Sequence, residues 1–193
     1  MVGVALARAG AAELLLTDGN ADAVANCRRN LALNDVNVDT ASGPSRIQVS
    51  DTPAATCAVT LHRHPSSGAI PRTALQVMQM TWDGDWSDVS APEVLLGADV
   101  MYDKAAFPAL VACVRQLLDR TPAKGEQRPV GYFASQVRLE ETMAAFEAQM
   151  AQQGLDFEVL EWEPVVRLQH LLRMEELTDV RLYKLDSNSH RVQ

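Results

Sequence analysis

Apolar and polar positions along this chain follow two periods, and the change from one to the other marks its elements. Val2 to Ala9 are small and apolar and run into Gly10, which predicts a buried helix closed by a glycine. Ala12 to Asp18 form an apolar run too short for a separate helix and closed by Asp18-Gly19-Asn20, which reads as a strand. Asn20 is placed to cap a helix in which Val24, Cys27 and Leu31 recur at helical spacing, with Asn34-Asp35 as the stop. From Val36 to about Arg72 the periodicity disappears and Ser, Thr, Pro, Gly and His dominate, so the expectation is a mobile surface insertion.

Alternation returns at Leu75 to Trp82, a half-exposed strand ended by Asp83-Gly84-Asp85. Glu93 to Asp99 is a continuous apolar run bounded by Pro92 and Gly97, as expected of a parallel strand covered on both faces. A helix follows with Phe107, Leu110, Val111, Val114, Leu117 and Leu118 on one stripe. Pro108 is comfortable only in a first turn, which moves its start toward Ala106. A strand from Pro129 to Ser135 leads to a helix with Leu139, Met143, Phe146 and Met150 on one face, stopped by Gly154. Phe157 to Trp162 and Val180 to Leu185 give two last strands, expected as an antiparallel edge, and a polar tail runs from Asp186 to Gln193. The fold class is α/β, one domain over residues 1–185, with a mixed sheet.

Composition narrows the function classes. The 193 residues are 47% hydrophobic and 22% charged, ordinary for one globular domain. A net charge of -8 argues against direct nucleic-acid binding, which needs clustered Lys and Arg, and leaves room for a basic protein partner. Cys27, Cys57 and Cys113 are odd in number and widely spaced, as in a reduced, cytoplasmic protein, and no run is long and apolar enough for a membrane span. His62-x-His64 lacks a second ligand pair, so no metal is expected. G-x-S-x-G, P-loop and H-E-x-x-H patterns are absent.

The candidate chemistry lies at strand ends, because open α/β sheets bind ligands just outside the carboxyl ends of their strands. Asp18 ends one strand where a carboxylate can accept from ribose hydroxyls; alone, it reads equally as a turn residue. Trp82 is placed to wall an adenine slot or simply to pack. Ala98 allows close approach of a ligand to the backbone, and Asp99 and Tyr102 present an acid and a phenol, or a turn acceptor and a core cover. Three strand ends carrying Asp, Trp and Asp-x-x-Tyr favour a single ligand crevice.

Those residues carry a resemblance. Met1 to Gly10, Leu14 to Asn20, Thr81-Trp82-Asp83 and Gly97-Ala-Asp-Val-Met-Tyr102 resemble, in order, the core of seven-strand S-adenosylmethionine-dependent protein-lysine methyltransferases. Tyr132 to Arg138 with Glu141-Thr142 is most similar to the branch acting on elongation factor 2, and Thr17 to Asn20 also resembles the calmodulin-lysine branch. The resemblance implies a Rossmann-like class I sheet and S-adenosyl-L-methionine as cofactor. It implies that Asp18 holds the ribose, that Trp82 and Ala98 border the adenosyl part, and that Asp99 and Tyr102 line the entrance for a lysine of a protein such as elongation factor 2. In the family, a first strand and an acidic Gly-x-Gly-x-Gly turn precede the stretch resembling Val2 to Ala9. The expectation is therefore an N-terminally incomplete domain with two unpaired inner edges and weak cofactor binding. A nicotinamide-dependent oxidoreductase would explain Asp18 but not Trp82 or Asp99-x-x-Tyr102, and a paralogue kept for protein binding is the non-enzymatic alternative.

Overall fold

The first helix and strand form where the pattern puts them. A computed structural model describes residues 2–34, 36, 58–63, 74–122, 127–160 and 180–187. Helix α1 (Val2–Arg8) leads into strand β1 (Ala11–Asp18), and α2 (Ala21–Leu33) follows. Asn20 caps α2, its Oδ1 accepting from the amides of Asp22 at 2.8 Å and Ala23 at 3.2 Å, two of the donors a helix start leaves orphaned. Leu14 and Leu16 share one face of β1 and pack with Val4, Val24, Leu31, Leu75 and Val77 in an aliphatic core.

Strand β2 (Ala58–Arg63) departs from expectation. The region 36–72 was expected to be a surface insertion, yet its residues 58–63 lie in the middle of the sheet. Apart from Val36, the rest of that region lies outside the described residues, His64 and Cys57 included. The physical reason is hydrogen bonding: β1 and β4 (Val94–Ala98) each present an inner edge, and unpaired backbone groups there would be costly. β2 pairs antiparallel with both, Leu61 opposite Leu14 on one side and Val94 on the other. The inner edges are thus paired rather than open.

β3 (Ala74–Gln79) runs parallel to β1. It stops short of the expected Trp82 because the chain turns at Thr81, where the Gly84 amide donates to the Thr81 carbonyl at 3.0 Å. Beyond β4, a 3-10 turn (Lys104–Ala106) precedes α3 (Phe107–Leu118), with Pro108 in its first turn. β5 (Val130–Gln136), α4 (Glu140–Gln152), β6 (Leu155–Leu160) and β7 (Val180–Ser187) complete the order. Trp162 and the tail from residue 188 fall outside the described residues, while Asp186 and Ser187, assigned to the tail from sequence, belong to β7.

The sheet order is β3-β1-β2-β4-β5-β7-β6. β3, β1, β4 and β5 point the same way, β2 and β7 run against them, and β6 and β7 form the expected antiparallel edge. The α3 stripe packs with Leu95, Phe133, Met143, Phe146, Met150, Tyr183 and Leu185 in a second, larger core. Leu95 joins this core and its neighbour Leu96 the aliphatic one, so β4 is covered on both faces. Gly97 is required there, since a Cβ would lie 2.4 Å from the Phe133 ring.

Candidate functional site

The parallel strands all end on one edge of the sheet, and the site is built from that edge. Asp18 pairs with Gln79, Thr17 lies in a row with Ala58 and Gly97, and Ala98 pairs with Ala134. Asp18 and Ala98 are therefore two strand spacings apart, about 10 Å. β2 runs backwards between them, so its first residue, Ala58, faces this edge.

Asp18 is half-buried, and its Oδ1 accepts from the Asn20 amide at 2.9 Å. The turn after it is fastened to β3, with Gln79 Nε2 donating to the Gly19 carbonyl at 2.9 Å and the Met80 amide to the Asp18 carbonyl at 3.1 Å. Among the described residues its other carboxylate oxygen takes no hydrogen bond and remains an acceptor at the crevice. Trp82 differs from expectation in degree. It is only 9% exposed and packs in the larger core beside Trp86, whose indole N–H donates to the Thr81 carbonyl at 3.1 Å.

Ala98 is exposed at the end of β4, and Asp99 follows with φ 52, left-handed backbone that asparagine and aspartate tolerate better than most residues. The Asp99 amide donates to the Ala134 carbonyl at 2.7 Å, locking the bend onto β5. Its two carboxylate oxygens are held separately: Ser135 Oγ donates to Oδ1 at 3.1 Å and Arg138 Nη2 to Oδ2 at 3.0 Å. Val100 and Met101, 2% and 1% exposed, anchor the next turn and leave Tyr102 at the rim, 44% exposed. Asp103 then starts the 3-10 turn by accepting from the Ala105 amide at 2.9 Å, and Lys104 reaches Glu141 of α4 at 3.0 Å.

Sequence reasoning named Asp18, Ala98, Asp99 and Tyr102, which share this edge, but assigned no role to Ser135 or Arg138. A signal existed. Gly131, Phe133 and Ser135 alternate onto the buried face of β5, and a buried hydroxyl must find a partner. Behind the site, α4 is tied to β7: Tyr183 donates to Glu147 at 2.6 Å, and Arg181 bridges Glu147 at 3.2 Å and Glu140 at 2.9 Å. Burial, reinforced by the Glu147 carboxylate, pushes the Tyr183 phenol well above its ordinary range, so it stays a donor. This fixes the helix whose approach carries Arg138.

The edge suits a nucleoside in part. Asp18 offers an open acceptor to a diol, and the exposed Ala98 leaves the backbone approachable at the end of β4. The antiparallel β2 begins at the middle of the edge instead of ending there, so among the described residues no strand-to-helix turn supplies a cradle at that point for the remainder of such a cofactor.

Over 128 residues the chain is 30% identical to the protein-lysine N-methyltransferase EEF2KMT of Bos taurus, an alignment covering 64% of this chain and 36% of that relative. The chain thus spans about a third of the length of the curated relative it matches. Residues 36–152, which include β2, β4 and the held Asp99, match the profile of the family described as lysine methyltransferase, and the chain belongs to that family.

Proposed function

We propose that the protein binds S-adenosyl-L-methionine and transfers its methyl group to a lysine side chain of a protein, with a translation elongation factor as substrate, in the cytoplasm. Asp99 carries this reading: a strand-end carboxylate fixed at both oxygens and exposed beside Tyr102, on the edge that also bears Asp18. Membership of the lysine methyltransferase family supports the reaction type, and the name of the bovine relative supports the substrate class.

The cofactor supplies an electrophilic methyl carbon on sulfur. Asp18 accepts from the ribose hydroxyls, while the exposed margin of Trp82 and the small Ala98 border the adenosyl part. Asp99 accepts a hydrogen bond from the lysine nitrogen and Tyr102 walls its path, which aligns the lone pair without a general base. Bound there, the cofactor would supply the methyl group to this nitrogen with its thioether as leaving group, and the nitrogen would give its proton to water.

Calorimetry with S-adenosylmethionine and transfer of labelled methyl to elongation factor 2 test this. Asp18→Ala should weaken cofactor binding about 10- to 100-fold, the loss of charge-assisted hydrogen bonds. Asp99→Ala should cut turnover about 100-fold, a larger loss than its cost to stability, which is about 1–3 kcal/mol for the Ser135 hydroxyl left without its partner. Full turnover in Asp99→Ala would remove it from the site. The antiparallel β2 favours one second reading, a protein-binding relative without catalysis; elongation factor bound tightly with no cofactor bound would select it.

A further inference from the structure

Resting on the methyl-transfer reading, we propose that Arg138 is a charge-compensating positioning residue: it neutralises Asp99, so that the carboxylate orients the substrate amine without holding it as ammonium. Asp99 faces two conflicting demands. An amine must lose its proton before its lone pair can attack, yet a bare carboxylate within bonding distance favours the charged form. A carboxylate already paired with a cation keeps its lone pairs as acceptors and loses most of that bias.

The geometry meets this requirement. Arg138 Nη2 lies 3.0 Å from Oδ2 and Ser135 Oγ 3.1 Å from Oδ1, one donor on each oxygen. Each carboxylate oxygen accepts more than one hydrogen bond, so room remains for the amine. The Ala134 carbonyl accepts from the Asp99 amide at 2.7 Å, which fixes the backbone from which the carboxylate projects. The other charged groups on the surrounding elements are engaged elsewhere. Lys104 on the 3-10 turn pairs with Glu141, Glu140 and Glu147 on α4 pair with Arg181 of β7, and Asp103 caps the Ala105 amide. Asp18 lies two strands away. Arg138 is thus the cation committed to Asp99 among the described residues, and at 63% and 51% exposure the pair is open to solvent and to salt.

The test uses n-butylammonium as a lysine mimic, titrated at pH 7 into isotopically labelled protein while NMR follows the Asp99 carboxyl carbon. Arg138→Gln should bind it about two- to five-fold more tightly than the parent, the range open to an exposed pair. Arg138→Lys should match the parent, Ser135→Ala should show no such gain, and the gain should shrink in about 1 M salt. In the methylation assay, Arg138→Gln should move the rising limb of the pH profile to higher pH and recover its turnover there, with Arg138→Lys unmoved. Unchanged or weaker butylammonium binding by Arg138→Gln would overturn the proposal and leave Arg138 as a mechanical support. The expected binding order with no methylation by the parent at any pH would sustain the compensation and sink the methyl-transfer reading.

Discussion

The two halves of the sheet reach similar order by different means. From β4 to β7 the chain builds a core of mixed aromatic and aliphatic side chains. Phe107 and Phe146 meet edge to face at 5.3 Å, and Tyr183 meets Phe146 and Phe157 at 5.9 Å each. From β1 to β3 the core is aliphatic, and among the described residues the sheet hydrogen bonding that joins its strands to the other half runs through β2. The candidate site bridges the halves, with Asp18 on one and Asp99, Ser135 and Arg138 on the other. The distance between the cofactor-side and lysine-side acids therefore depends on one antiparallel strand.

The strongest way to break this comparison is to break that strand. Leu61 pairs with Leu14 and with Val94, so Leu61→Pro removes ladder bonding at the junction. Each buried partner left unsatisfied costs about 1–3 kcal/mol, and a loss of about 3 kcal/mol in stability is expected. Hydrogen exchange should show β1 and β3 losing protection while β5 and β7 keep theirs. Unchanged protection in β1 would mean that β2 does not join the halves.

A smaller effect separates the halves by how far each can yield. Gly97→Ala in β4 drives a methyl to within 2.4 Å of Phe133, a ring 2% exposed and locked in the larger core. Overpacking of this kind costs about 1–3 kcal/mol. Gly3→Ala in α1 meets Leu16 Cδ1 at 2.5 Å, the tip of a flexible side chain, and gains helix propensity worth up to about 1 kcal/mol. Denaturant melts should show a clear loss for the first and a near-neutral change for the second. Equal losses would mean that the aliphatic core is as unyielding as the aromatic one.

The same contrast governs what the sequence reveals. The α3 stripe from Phe107 to Leu118 is buried throughout, as its spacing predicts, and Pro108 lies in the first turn of that helix. Leu139, grouped with the apolar face of α4, is instead 57% exposed at its N-cap. Ala58 to Arg63 is illegible as a strand because Thr60, His62 and Arg63 interrupt any apolar run. Its place is set by the edges of β1 and β4, which is tertiary context. At the site, Asp18, Ala98, Asp99 and Tyr102 were legible because strand ends are local features. Ser135 and Arg138 were not, because their contact with Asp99 exists only once β5 lies beside β4. Trp82 was expected at a strand end, whereas β3 stops at Gln79, and its nearly complete burial follows from the chain folding back toward Trp86.

The mildest probe reads the halves without changing either. Cys113 on α3 is 5% exposed, and burial pushes its thiol up to about 12, slightly opposed by Arg120. Cys27 on α2 is only partly buried, and burial raises its thiol from the ordinary value. Since thiolate is the reactive form, iodoacetamide at pH 8 should label Cys27 first and Cys113 only on unfolding, as peptide mass spectrometry can read. The linkage runs the same way. Folding keeps Cys113 protonated, so its contribution is complete below the unfolded value of 9.0 and is lost as pH rises through about 12. Alkaline conditions should thus erode the half containing α3 through this thiol. In Leu61→Pro, Cys27 should label faster than in the parent while Cys113 stays protected, because only the half containing α2 has lost its tie. Simultaneous labelling of both would show that the two cores unfold as one, whatever strand joins them.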